Sequence, residues 1–140
     1  MVAAALVDAS ALVALFGHDQ PQQAHYVGLF EQASNEHWML ASTWPCVTEA
    51  SYLLGLPRRF AFLRWVAAGG VTIYPFDQET LESMVEFMRQ YTEEPHTEMD
   101  LADASLFWLA ADTGINRIMT LDVRDFSRYR LPDGRVFEIL

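Results

Sequence analysis

The chain alternates short unbroken apolar runs with longer stretches in which apolar residues recur every three or four positions. Unbroken runs predict buried strands, and recurring ones predict amphipathic helices. Residues 3–7 form the first run, which ends at Asp8. A helix follows over 10–16, with Ser10 near its cap. Pro21 opens a second helix over about 22–34, and 38–41 predict the second strand. Thr43 is placed to cap the next helix, where Pro45 is tolerated in the first turn. That helix carries Val47, Glu49, Ala50 and Leu53 and breaks at Gly55 and Pro57. Residues 58–68 predict a helix stopped by Gly69 and Gly70, and 71–74 predict the third strand. Asp77 caps a helix over 78–91, with Glu79 in the first turn, where the dipole favours an anion. Residues 92–98, with Pro95, read as a loop. The strongest helical pattern runs over 99–113 and closes at Gly114. Residues 117–119 and 136–139 predict the last strands. Strands alternating with helices imply an α/β fold, a mostly parallel sheet of about five strands between helices. No repeat or linker divides residues 1–140, so one domain is expected.

A chain of 140 residues that is 51% hydrophobic buries roughly 68–70% of its unfolded surface on folding. That supports a core without disulfides. The single Cys46 excludes an internal disulfide, a CxxC redox pair and a cysteine zinc site. No apolar stretch approaches the ~20 residues of a membrane span. The first residues lack the basic segment of a signal peptide, so a cytoplasmic protein without a membrane partner is expected. Lys+Arg number 9 against 19 Asp+Glu, a formal net charge of −10. There is no lysine, which excludes a P-loop lysine, a Schiff base and a receiver-type phosphoacceptor site. A pI near 4.6 argues against a protein that coats nucleic acid, which is usually basic. It leaves room for a nucleic-acid enzyme whose acids hold cations.

Most carboxylates read as solvated. Glu82 and Glu86 share an outer helix face, and Glu93 and Glu94 sit in a polar loop. Four acids are placed differently. Asp8 and Asp122 each follow an apolar strand, in ALVDAS and IMTLD. In an open α/β sheet, ligands gather beyond the carboxyl ends of strands. Glu49 lies in the apolar context CVTEASYLL, where an acid is costly unless paired or metal-bound. Asp103 lies in MDLADASLFWLAA, with Asp100 one turn earlier on the same face. Each alone has an ordinary explanation: Asp8 as a helix cap, Asp122 as a turn residue, Glu49 paired with an Arg, Asp103 exposed. Together they would repel strongly without cations, and Mg2+ or Mn2+ suits such oxygen ligands.

The segments LVDASALVALF at 6–16, TEASYLL at 48–54 and MDLADASLFWLAADTGINRIMTLDVRDFSRYR at 99–130, with the tail strand, resemble the PIN-domain endoribonucleases, most closely VapC-type toxins of toxin–antitoxin pairs. The resemblance covers essentially the whole chain. It implies a three-layer α/β fold and a metal-binding and catalytic quartet of Asp8, Glu49, Asp103 and Asp122. Asp100 matches an accessory acid of some members. Ser10 and Thr120 match positions that hold the carboxylates or a metal-bound water, and Asp125 matches a structural acid. The resemblance also implies an antitoxin that wraps the surface and can insert an Arg among the carboxylates, and a homodimer.

The chemistry expected is Mg2+- or Mn2+-assisted hydrolysis of RNA, leaving 5′-phosphate and 3′-hydroxyl ends. His18, His25, His37 and His96 are scattered and read as surface residues, so general acid–base cleavage through the RNA 2′-hydroxyl has no positioned His. HExxH, GxSxG and GxGxxG are all absent. Arg117, Arg124 and Arg128 are candidates to guide RNA, with surface solubility or salt bridging as their ordinary reading. The stretch PRRFAFLRWV at 57–66 interleaves Arg with aromatics, a composition that can stack bases. An amphipathic helix with Phe60, Leu63 and Phe62 packed inward is the favoured reading. Two other functions compete: a non-catalytic PIN-fold module that binds RNA or protein, and a metal-dependent phosphoryl hydrolase acting on DNA or small phosphate esters.

Overall fold

The structure, a computed structural model, describes residues 3–140. Among them are five strands: β1 (Ala4–Val7), β2 (Met39–Ser42), β3 (Thr72–Ile73), β4 (Arg117–Met119) and β5 (Glu138–Ile139). Seven helices flank them: α1 (Ala9–Phe16), α2 (Gln23–Asn35), α3 (Trp44–Leu54), α4 (Arg58–Ala67), α5 (Gln78–Tyr91), α6 (Leu101–Thr113) and α7 (Val123–Arg128). The sheet has the order β3-β2-β1-β4-β5 and every pairing is parallel, as the alternating pattern implied.

The chain builds outward from β1 to β3, then returns to the centre to add β4 and β5 on the other side. The order therefore reverses between β1 and β4, where Val7 pairs with Met119. Helices leaving these neighbours in opposite directions open a crevice at the carboxyl ends of the strands. None of the described helices is long and apolar enough to cross a membrane.

The core confirms why the runs are strands. Ala5, Leu6, Val7, Ile118 and Met119 are all fully buried, as expected of parallel strands covered on both faces. Phe107 of α6 packs against Phe87, Tyr91, Tyr129 and Phe137, tying α5, α6 and the C-terminal segment together.

Several local expectations are corrected. The cap of α1 is Asp8, whose carboxylate accepts the Ala9 N–H, so the helix begins earlier than at Ser10. Thr43 precedes α3 without a side-chain capping bond, because its hydroxyl is taken by Ser105 at 2.6 Å. The six-residue α7 does not register as a helical pattern. In α4, Phe62 and Val66 face the core while Phe60 and Leu63 are exposed. One residue is 100° of helix, and the buried stripe is set by Phe62 and Val66 instead of Phe60 and Leu63.

Candidate metal centre

The crevice collects acids because its two walls end in them. Asp8 stays in the ladder through its N–H, which donates to Met119 O at 3.0 Å. Its Oδ1 accepts the Ala9 N–H at 2.8 Å, and its Oδ2 accepts Thr120 Oγ1 at 2.7 Å and Ser10 Oγ at 3.0 Å. The same two hydroxyls accept backbone N–H groups, Ser10 from Leu121 and Thr120 from Asp122. Ser10 and Thr120 thus tie the end of β4 to Asp8. Only 5% of Asp8 is exposed, and burial raises its pKa against the pull of these hydrogen bonds.

Asp103 enters from α6. Asp100 caps that helix by accepting the Asp103 N–H at 2.8 Å, so the two acids share its first turn. Asp103 is 7% exposed, and Tyr129 Oη donates to its Oδ2 at 2.7 Å. Desolvation dominates, opposed by Tyr129 and reinforced by Asp100, Asp8 and Asp122, and pushes Asp103 up to about 8. Asp122 caps α7, and desolvation together with Asp125 pushes it up to about 6. Carboxylate oxygens of Asp103, Asp122 and Asp125 lie within 4.8 Å of one another.

Glu49 differs from its expected setting. It is exposed on α3, because its apolar sequence neighbours belong partly to the buried helix face and partly to an exposed one. Partial desolvation and the charges of Asp100, Asp8 and Asp122 still raise its pKa. Beside it, Trp44, Pro45, Thr48, Phe76 and Asp100 help line an open groove of about 680 Å3.

The candidate arginines separate. Arg124 is exposed on α7, next to the crevice. Arg128 is half-buried, its Nε on Asp125 at 3.1 Å and its guanidinium 5.0 Å from the Tyr129 ring. Arg117 starts β4, stacked on Trp38 at 4.4 Å. At about 3.3 Å per residue, that is the opposite end of the strand from Thr120, so Arg117 is not brought to the acids. All four histidines are exposed.

Sequence reasoning missed Tyr129 as a partner of Asp103, since nothing in the sequence links positions 26 residues apart. It gave Asp125 only a structural role, yet the three-residue spacing from Asp122 was a usable signal once a helical turn is assumed. Asp125 is the one clustered acid with an ion pair among the described residues. Asp8, Asp103 and Asp122 have no cationic side chain paired with them among the described residues. Their oxygen-only donor set and raised protonation fit a hard divalent ion.

The fold is similar to that of VapC20, a sarcin-ricin loop-cleaving toxin of Mycobacterium tuberculosis, with a TM-score of 0.72 and 16% identity over 86% of this chain and 91% of that one. No curated protein sequence matches the chain. The PIN domain family matches residues 5–131, a span that includes the β1 and β4 ends and every acid of the crevice, and the chain belongs to that family.

Proposed function

We propose that this protein is a Mg2+- or Mn2+-dependent endoribonuclease, the toxin of a toxin–antitoxin pair, built as one PIN domain over 1–140. The observation that supports this best is the acid cluster, in which carboxylate oxygens of Asp103, Asp122 and Asp125 lie within 4.8 Å of one another and only Asp125 is ion-paired among the described residues. Asp8, Glu49, Asp103 and Asp122 have no Arg or His partner among the described residues, and Asp103 is pushed up to about 8. An unpaired buried carboxylate is costly, and such clusters concentrate at functional sites.

In this reading Asp8, Glu49, Asp103 and Asp122 hold the cation, with Asp100 at the crevice mouth and Asp125 beside Asp122. When bound, the cation lowers the pKa of water and offsets charge on the phosphate in the transition state. The chain's own groups position the acids. Ser10 and Thr120 fix Asp8, and Tyr129 fixes Asp103 through one oxygen, leaving Oδ1 to the crevice. Glu49, exposed and with no side-chain hydrogen bond among the described residues, is free to turn toward an ion held by the other acids. Arg124, exposed on α7, would meet an RNA phosphate in this reading. RNA as the substrate class is supported by the family and by the fold shared with an RNA-cleaving toxin. A cognate antitoxin, a second copy of the chain and a cytoplasmic setting complete the reading.

The test is cleavage of labelled total RNA by purified protein with Mg2+, Mn2+ or EDTA, beside Asp103→Asn and matched DNA oligonucleotides. Discrete bands that need metal and vanish in Asp103→Asn are expected. Cleavage in EDTA, wild-type cleavage by Asp103→Asn, or preference for DNA would overturn the reading.

A further inference from the structure

A protein of net charge −10 must still take hold of a polyanion if the nuclease reading, on which this inference rests, is right. The question is where its cations are free to do so. Arg59, Arg117, Arg128, Arg130 and Arg135 are held by carbonyls, carboxylates or a ring. Arg89 lines an open groove together with Glu94 and Glu98, without an ion pair among the described residues. Arg124 of α7, beside the acids, and Arg58 and Arg64 of α4 are exposed and make no hydrogen bond or ion pair among the described residues. Between Glu49 and Asp77 the chain contains Arg58, Arg59 and Arg64 and no acid, so α4 is a basic island on an acidic molecule.

The same region carries exposed rings. Tyr52 is 77% exposed, Phe60 57% and Trp44 54%. Trp44, Thr48 and Tyr52 recur at four-residue intervals and so form one stripe of α3. Tyr52 lies three residues, about 4.5 Å along the helix, beyond Glu49. Phe60 and Arg64 share a face of α4 by the same spacing. Trp44 and Thr48 line the groove beside Glu49, and Arg59, next to Phe60, donates to the Tyr52 carbonyl at 3.3 Å, which brings the start of α4 to the Tyr52 end of that stripe. The apolar surface alone would also suit a protein. The free cations without acids, and continuity with Glu49, favour a polyanion with stackable faces.

We infer that the exposed face of α3 and α4 is a single-stranded RNA track, in which Tyr52 and Phe60 stack bases while Arg58 and Arg64 contact phosphates. It binds without strong base preference, since every base offers a face to a ring.

The experiment measures anisotropy of a fluorescein-labelled unstructured 20-mer RNA, in EDTA so that no cleavage occurs, at several salt concentrations. Arg58→Ala with Arg64→Ala should weaken binding and flatten the log–log salt dependence by about 1.4, at about 0.7 per phosphate contact on a single strand. Tyr52→Ala with Phe60→Ala should weaken binding at least about 30-fold, about five-fold or more for each stacked base lost, with the salt slope unchanged. Cleavage of the same RNA in Mn2+ is run in parallel. Wild-type binding lost in these variants supports the track even if no RNA is cut, in which case only the nuclease reading falls. Cleavage by the wild type with unchanged binding in both variants overturns the track alone. The track is also overturned if the variants bind RNA normally but change from dimer to monomer by light scattering, since the face then belongs to a second copy.

Discussion

Tyr129 shows how a single buried hydroxyl can set the geometry of a carboxylate. Its ring is fixed edge-on against Tyr91, Phe107 and Phe126, so its Oη has little freedom other than to reach Asp103 at 2.7 Å. Burial and the adjacent carboxylate both raise the Tyr129 pKa, so the phenol keeps its proton and remains a donor. Tyr129→Phe preserves the ring and removes only that donor. Groups that orient metal-binding carboxylates typically change metal affinity about 10–100-fold when lost. Calorimetric titration with Mn2+ should show a weakening of that order in Tyr129→Phe, while its circular dichroism stays that of the wild type. An unchanged Mn2+ affinity would mean that the hydroxyl only satisfies a buried oxygen.

At the scale of elements, α7 is the piece on which the crevice depends and the one least visible in sequence. Six residues are too few to show a helical period, and isolated helices that short are unstable. What holds α7 is tertiary: Phe126 is fully buried between Tyr129 and Phe137, with ring centroids 5.2 Å from each. Phe126→Ala should therefore lower stability by about 3–5 kcal/mol, measured by urea denaturation, and weaken Mn2+ binding because Asp122 caps this helix. Full stability in that variant would contradict the packing.

The long elements were legible because local chemistry agrees with the fold. Asp77 does accept the Thr80 N–H and cap α5, and Gly114, at φ 81°, does end α6 in a conformation glycine tolerates best. The acids at the ends of β1 and β4 were legible for the same reason, since each terminates a buried run. The orientation of α4 was not. Phe60, Phe62, Leu63 and Val66 allow more than one apolar stripe, and only packing against Phe16 selects the one through Phe62. The exposed rings and the place of Arg117 likewise depend on neighbours remote in sequence.

For the whole molecule, the raised carboxyls reverse the usual relation between pH and stability. A carboxylate whose folded pKa lies above its unfolded value binds more protons in the folded state between the two values. Stability then falls as pH rises through that interval. For Asp103 the interval runs from its ordinary 3.8 to about 8, and for Asp122 to about 6; Asp8 and Glu49 shift in the same direction. Asp77 and Asp133 shift the other way, but both are exposed and screened, so they weigh little. The metal-free protein should thus melt at a higher temperature at pH 5.5 than at pH 8.5. A divalent cation competes with those protons, so its stabilising effect should grow as pH rises. Thermal melts in EDTA and in Mn2+ across that range test both halves. Asp103→Asn keeps an oxygen to accept from Tyr129 but cannot ionise, so it should flatten the metal-free pH dependence and reduce the Mn2+ shift together. A metal-free melting temperature that climbs steadily toward pH 8.5 would show that the crevice acids do not share their charge. A Mn2+ shift independent of pH would place the ion elsewhere on this acidic surface.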